Sequence, residues 1–312
     1  MMKYLDISRL YFEKYGRPTI ESEFPELIGR YAAGLVGRGS ECFGYDDTTS
    51  LDHDIEPGFC VWLPDDIYEI SGNALQDAYD SFPKEFMGIS LQRSSYQKEK
   101  RKGVFSISEF YSEIIGYHTV PTSNMVWASI PQYALAEATN GMIFADTLGE
   151  FSNIRKGLLN YYPDDVVYLK LSKCFISMAQ SGQYNFERCI RHGETGAAVL
   201  ALDTFIREAI RAAFLLNHKY CPYYKWSLRA LSEINGMQVL SQALDYLLIG
   251  SNEGNGLVSK IRTIEKVSKI FIDISVRKGL SSSKSDYLEP HAYHIRNKIT
   301  DKQLLSFHIF EA

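Results

Sequence analysis

Gly37-Arg38-Gly39-Ser40-Glu41, followed by the loop Gly44-Tyr45-Asp46-Asp47 and then Ser50-Leu51-Asp52-His53-Asp54, decides how the whole chain reads. Ahead of it, Ala32-Ala33-Gly34-Leu35-Val36 has the character of a short buried strand. Glycines directly after a strand allow a tight turn whose backbone N–H groups can face a phosphate. Ser40 is of the type that caps a following helix. Eleven residues separate Ser40 from Asp52, and Phe59-Cys60-Val61-Trp62-Leu63 reads as a further strand, so Asp52 and Asp54 are expected on a sheet. Side chains two apart on a strand share one face. Two carboxylates so placed repel each other unless a cation holds them, and carboxylates with substrate phosphates are a usual environment for Mg²⁺.

Gly39-Ser40 after an apolar strand, a spacer of this size, and Asp52-x-Asp54 resemble the signature of the DNA polymerase beta-like nucleotidyltransferase superfamily. The extended pattern, with Glu41 after the serine and Ser50-x-Asp-His-Asp, is similar to a largely uncharacterised bacterial branch of it. The resemblance runs over most of the chain. It implies an α+β protein in which a small mixed-sheet nucleotidyltransferase domain (1–153) precedes an all-helical bundle (154–312), an arrangement similar to kanamycin nucleotidyltransferase. It further implies that Gly39 and Ser40 hold the phosphates of ATP or another nucleoside triphosphate, and that Asp52 and Asp54 bind Mg²⁺ and are catalytic.

Two blander readings of the acidic stretch exist. Asp46, Asp47, Asp52 and Asp54 could form a solvated turn-rich loop, which leaves the flanking apolar strands unexplained. A calcium loop would need regular one, three, five ligand spacing with a central Gly and a terminal Glu, and residues 46–56 lack it. His53 is expected on the opposite strand face from its neighbours, packed or hydrogen-bonded.

The composition is that of an ordinary globular chain: 312 residues, 45% hydrophobic and 23% charged. A net charge of −5 argues against a general affinity for duplex nucleic acid, which needs a basic face. Five scattered cysteines (Cys42, Cys60, Cys174, Cys189, Cys221) include no Cys-x-x-Cys pair, so neither a disulfide framework nor a zinc site is expected, and the usage suits a reducing cytoplasm. The N-terminus carries no apolar signal-like run and no stretch approaches 18 apolar residues, so neither secretion nor membrane spanning is expected.

Along the chain, apolar groups at helical spacing predict a helix over 3–16 ending at Gly16-Arg17-Pro18, and a second over 25–31. A helix over 67–82, interrupted at Gly72, follows the 59–63 strand, and 86–95 reads as a loop or lid. The basic run Gln97-Lys98-Glu99-Lys100-Arg101-Lys102 precedes a strand at 104–107; it is either a solvated loop or a set of cations within reach of a triphosphate. Superfamily members carry a third carboxylate on such a strand. This one has none, and Glu109 and Glu113 come after it in helical context. A helix over 131–139 and a strand over 141–146 complete the first domain, with Asp146 expected to serve a turn.

From about residue 154 only helical patterns remain. Glu187, Arg191 and Glu194, spaced four and three, are expected on one helical face, either as base and phosphate-binding cation or as a salt-bridge ladder. In the segment 217–226 the aromatics and Lys225 are expected either to contact base and phosphates or to pack an inter-helix turn. His291 and His294 are three apart without a third ligand in sequence, so zinc is not expected there. The function expected is metal-dependent transfer of a nucleoside monophosphate to a hydroxyl of a small molecule or of a protein, releasing pyrophosphate. The alternative is a degenerate nucleotide-binding or protein-interaction module of the same fold.

Overall fold

The computed structural model describes residues 2–46, 57–90 and 100–311. The chain forms two compact units: Met1–Val120 with Ala134–Asn160, and Pro121–Tyr133 with Tyr161–Ala312. The expected boundary after residue 153 would fall within a helix, Glu150–Leu159, that stays whole in the first unit, and the short segment before residue 134 joins the second.

The first unit is built on a four-stranded mixed sheet, order β5-β2-β1-β6, with β1 Ala32–Leu35, β2 Cys60–Leu63, β5 Gly103–Ser106 and β6 Met142–Asp146. A two-residue hairpin, β3 Glu85–Phe86 with β4 Ile89–Ser90, stands apart from it. β2 is central, antiparallel to β1 and parallel to β5, and all four of its residues are buried. Strand alternation divides its side chains between two apolar layers. Val61 and Leu63 join Ala33, Val104, Phe12 and Ile20 in one core. Trp62, on the other face, stacks on Phe151 at 3.9 Å between ring centroids and meets Phe110 edge-on at 5.2 Å.

Small residues in β1 have a steric reason. A Cβ on Gly34 would come within 2.4 Å of the Met142 carbonyl oxygen, just where the β1–β6 register shifts between Ala33 and Gly34.

The N-terminal helix does not stop at Gly16-Arg17-Pro18. α1 (Tyr4–Tyr11) runs through a π turn (Phe12–Gly16) into α2 (Arg17–Glu23). Gly16 serves close packing, since a Cβ there would lie 2.4 Å from the Phe59 ring, and Pro18 lies just past the π turn. The helix expected over 25–31 shrinks to a single 3₁₀ turn, Pro25–Leu27. By contrast α3 (Asp65–Asp80) passes Gly72 without interruption. Ser106 caps α4 (Ile107–Ile115) by accepting the Glu109 N–H at 3.3 Å.

The second unit is all helical among its described residues: α5 (Asn124–Ser129), the start of α6 (Gln132–Thr139), then α8 (Asp164–Met178), a π segment (Ala179–Phe186), α9 (Glu187–Arg191) and α10 (Thr195–Leu216), with α7 (Glu150–Leu159) belonging to the first unit. α11 (Tyr224–Ser232), α12 (Gln238–Ile249), α13 (Gly254–Arg277), α14 (Leu288–Arg296) and α15 (Lys302–Leu305) complete it. The chain is therefore α+β, a small mixed sheet accompanied by many helices. No helix among the described residues is long and apolar enough to cross a membrane.

Candidate active site

The turn after β1 is glycine-dependent: Gly37 and Gly39 adopt φ of +124° and +120°, where side-chain-bearing residues are strained. It is bracketed from the corner before β6. The Gly37 N–H donates to Asn140 Oδ1 at 2.9 Å, and Asn140 Nδ2 donates to the Gly37 carbonyl at 2.8 Å. The Gly141 N–H donates to the Cys42 carbonyl at 2.9 Å. Arg155 in turn holds that corner, its Nη2 donating to the Thr139 and Asn140 carbonyls at 2.7 and 3.0 Å.

Ser40 does not cap a helix as expected. It lies in the helical region itself (φ −60°, ψ −32°), its side chain makes no cap hydrogen bond, and the chain passes from it into one 3₁₀ turn, Glu41–Phe43. Capping needs extended backbone at the cap residue. The Ser40 carbonyl instead accepts the Phe43 and Tyr45 N–H groups at 3.1 and 2.9 Å. Glu41 is buried and its carboxylate lies against Gly39, 2.3 Å from where a Cβ would stand. The Gly37 N–H, one of the amides expected to face a phosphate, is taken by Asn140.

Cations do gather beside the turn. A recess of about 300 Å³ is lined by Gly37, Arg38, Lys100, Arg101, Phe105 and Glu113, among others. Lys100, Arg101 and Lys102, the described part of the basic run, come directly before β5, whose parallel pairing with β2 sets them at the end of the sheet; residues 97–99 lie outside the described residues. Lys100 Nζ donates to the Val104 carbonyl at 2.5 Å and sits 4.7 Å from the Phe105 ring centre; burial pulls its amine below the usual lysine range. Arg38 lies 3.7 Å from Glu137, whose carboxyl burial pushes up against the opposing pull of Arg38. Of the two acids that follow β5, Glu109 and Glu113, the second lines the recess. Gly39 and Ser40 adjoin the recess in sequence without lining it. Asp52 and Asp54 lie outside the described residues.

The polar sites expected in the helical unit are arranged differently. α9 ends at Arg191, Gly193 turns the chain at φ +76°, and Glu194 stands at the N-cap of α10, so Glu187, Arg191 and Glu194 do not share one helical face. The glycine breaks the periodicity that the spacing suggested. Glu187 and Arg191 close on each other at 2.5 Å. Lys225 is exposed with its amine 4.8 Å from the Trp226 ring centre, while its neighbours Cys221, Pro222, Tyr223 and Tyr224 line a cavity in that unit. His291 is buried with both ring nitrogens engaged, by Ser281 Oγ at 2.8 Å and the Ser285 carbonyl at 2.9 Å.

Sequence reasoning missed the roles of Asn140, Gly141 and Arg155: the partners of the first two, Gly37 and Cys42, are remote along the chain, and Arg155 reaches back 15 and 16 residues to backbone carbonyls that carry no local signal. It passed over the paired cations of α8 and α10, although Lys170/Lys173 and Arg207/Arg211 at helical spacing within apolar helices are a visible signal.

The profile of a domain of unknown function, DUF4037, matches residues 127–227. No curated protein matches the chain. Among solved structures it is similar to a nucleotidyltransferase-like protein from Exiguobacterium sibiricum 255-15, at 13% identity and a TM-score of 0.37, covering 86% of this chain and 77% of that one.

Proposed function

We propose that the chain is a nucleotidyltransferase that moves the nucleoside monophosphate of ATP, or of another nucleoside triphosphate, to a hydroxyl of a small molecule or a protein. The observation that carries this reading is the recess beside the Gly37 turn, where Arg38, Lys100 and Arg101 converge at the end of a mixed sheet. A polyanion is the chemistry that such a recess suits. The motif supplies the rest: Asp52 and Asp54, eight and six residues ahead of Cys60 at the start of β2, come after the turn at the spacing described above.

Among the described residues no group of three or more His, Cys, Asp or Glu side chains converges on a metal. Two carboxylates two residues apart form a hard-oxygen donor set of the kind Mg²⁺ takes, and Asp52 and Asp54 would hold it, the bound ion neutralising charge as pyrophosphate departs. Arg38, Lys100 and Arg101 bind and orient the phosphates. The acceptor oxygen attacks the α-phosphorus in line; the new P–O bond forms as the α–β bridging bond breaks, pyrophosphate keeps that electron pair, and the hydroxyl proton passes to a base or solvent. Positioning and charge stabilisation carry most of such a reaction.

A second reading has its own observation. β5, Gly103-Val104-Phe105-Ser106, carries no acid where a third carboxylate is expected, which favours a nucleotide-binding module that has lost transfer. Incubation with ATP labelled at the α-phosphate and Mg²⁺ separates the two. Label appearing on an acceptor with pyrophosphate release, lost in Asp52→Asn and Asp54→Asn, supports the enzyme. Saturable ATP binding without either product supports the module, and no binding of any nucleoside triphosphate ends both.

A further inference from the structure

A larger cavity, about 730 Å³, lies entirely within the helical unit. Helices α8 and α10 pack together there. Lys170 and Lys173 are three apart on α8, Arg207 and Arg211 four apart on α10; such spacings put each pair on one helix face, and all four side chains line the cavity. Much of the remaining wall is apolar or aromatic. Tyr223 stands 4.5 Å from Tyr224 and 6.2 Å from Tyr133 between ring centres, and all three belong to the lining.

Two carboxylates, Glu208 and Glu311, also reach it. Glu208 is 7% exposed; its Oε1 accepts from Arg211 Nη1 at 2.7 Å, while its Oε2 is buried with no donor stronger than the Cys174 thiol beside the carboxylate. A buried carboxylate oxygen met by no more than a weak thiol donor is costly, and a ligand that brings a stronger donor relieves it.

We propose that this cavity binds a small organic anion in which an acid group, phosphate or carboxylate, is carried on a flat apolar ring that also bears a hydroxyl or N–H. The volume falls in the range of sites that enclose small molecules, roughly 300 to 1,000 Å³. Arg207 pairs with Asp203 at 2.7 Å, and with Glu208 and Glu311 in the lining the four cations still leave one positive charge in excess, so a neutral apolar occupant would desolvate charge without compensation and a cation would be repelled. The tyrosines supply faces for a ring, and Glu208 Oε2 supplies an acceptor for its donor. Burial holds the Lys170 amine down at about 8, a penalty that an adjacent anion relieves. The site stands independently of nucleotidyl transfer.

Isothermal titration calorimetry on the full chain tests it, with phenyl phosphate and 4-hydroxybenzoate as probes and benzyl alcohol and benzylamine as controls. The expected result is saturable binding of at least one acid and of neither control, weakened roughly tenfold by Lys173→Gln or Tyr224→Ala and unchanged by Lys278→Gln, an exposed lysine that lines neither cavity. The tighter acid identifies the acid group. Tyr224 is 65% exposed, so its truncation leaves the helical core intact, and circular dichroism verifies folding. Failure of both acids to bind, equal binding of benzylamine, or affinity unchanged in both cavity variants while reduced by Lys278→Gln would overturn the proposal. Because the readout is binding, loss of nucleotidyl transfer leaves this result unaffected.

Discussion

Gly37 and Asn140, 103 residues apart in sequence, exchange two hydrogen bonds, N–H to Oδ1 at 2.9 Å and Nδ2 to carbonyl at 2.8 Å. One amide side chain thereby fixes both polar groups of the residue that opens the glycine turn. Asn140→Ala strands a backbone donor and a backbone acceptor in a partly buried place. The expected loss of stability is about 2 kcal/mol, read by urea denaturation, with, in the proposed transfer, a rise in KM for ATP that exceeds any fall in kcat. Asn140→Asp keeps the acceptor and loses the donor, and its effect is expected to be intermediate.

Gly141 meets β1 more closely than any side chain permits. Its φ is +68°, and a Cβ would stand 1.9 Å from the Leu35 carbonyl oxygen. Gly141→Ala is therefore expected to cost more than about 3 kcal/mol, combining left-handed strain with a backbone clash. Gly236→Ala is the control: also left-handed, at φ +81°, but with nothing within 4 Å of the added carbon, it is expected to cost only about 1 kcal/mol.

In the proposed transfer, Lys100→Gln removes a phosphate-facing charge while Asp52→Asn or Asp54→Asn removes a metal carboxylate. The lysine variant is expected to raise KM for ATP roughly tenfold with a smaller change in kcat, an effect that shrinks at high salt. Either aspartate variant is expected to lower kcat by about three orders of magnitude with nucleotide binding largely retained. Steady-state kinetics at two ionic strengths distinguishes the cases.

Lys170 predicts a pH effect of definite sign. Burial pulls its amine from 10.5 to about 8, and its Nζ donates to the Ala128 carbonyl at 2.7 Å, with Lys173, Arg211 and Cys174 as its charged or titratable neighbours. Between pH 8 and 10.5 the folded state binds fewer protons here than the unfolded one, so this residue makes stability rise with pH through that window. The penalty is fully present below pH 8 and amounts to roughly 3 kcal/mol. Buried tyrosines titrating at high pH act oppositely, so the measurable quantity is the difference between wild type and Lys170→Met, which is expected to narrow as pH climbs toward 10.5.

The Glu187–Arg191 pair is exposed, and its rupture is expected to be nearly silent. Glu187→Gln should change stability by less than about 0.5 kcal/mol, checked by thermal denaturation.

The four main strands were legible because runs such as Cys60-Val61-Trp62-Leu63 are buried on both faces and allow few other placements. Gly16-Arg17-Pro18 misled for a physical reason: glycine and proline punctuate helices locally, but here the glycine answers to the Phe59 ring, which only the tertiary structure brings near. The same holds at Gly193, where one left-handed residue dissolves the helical register of Glu187, Arg191 and Glu194. Lys100 and Arg101 were visible as a charge run, yet nothing local tells a solvated run from one led to the Gly37 turn by a parallel strand. Asn140 was not legible, since a single amide far along the chain has no pattern to betray it.

The segment Pro121–Tyr133 belongs with the helical unit although Met1–Val120 and Ala134–Asn160 belong with the sheet. A gene encoding such a chain offers no single cut that frees either half: a stop codon after residue 153 would carry off an orphaned piece of the bundle and leave the bundle short of a wall. Modular exchange by one recombination event is thereby closed to it, and the two halves are expected to have been inherited together.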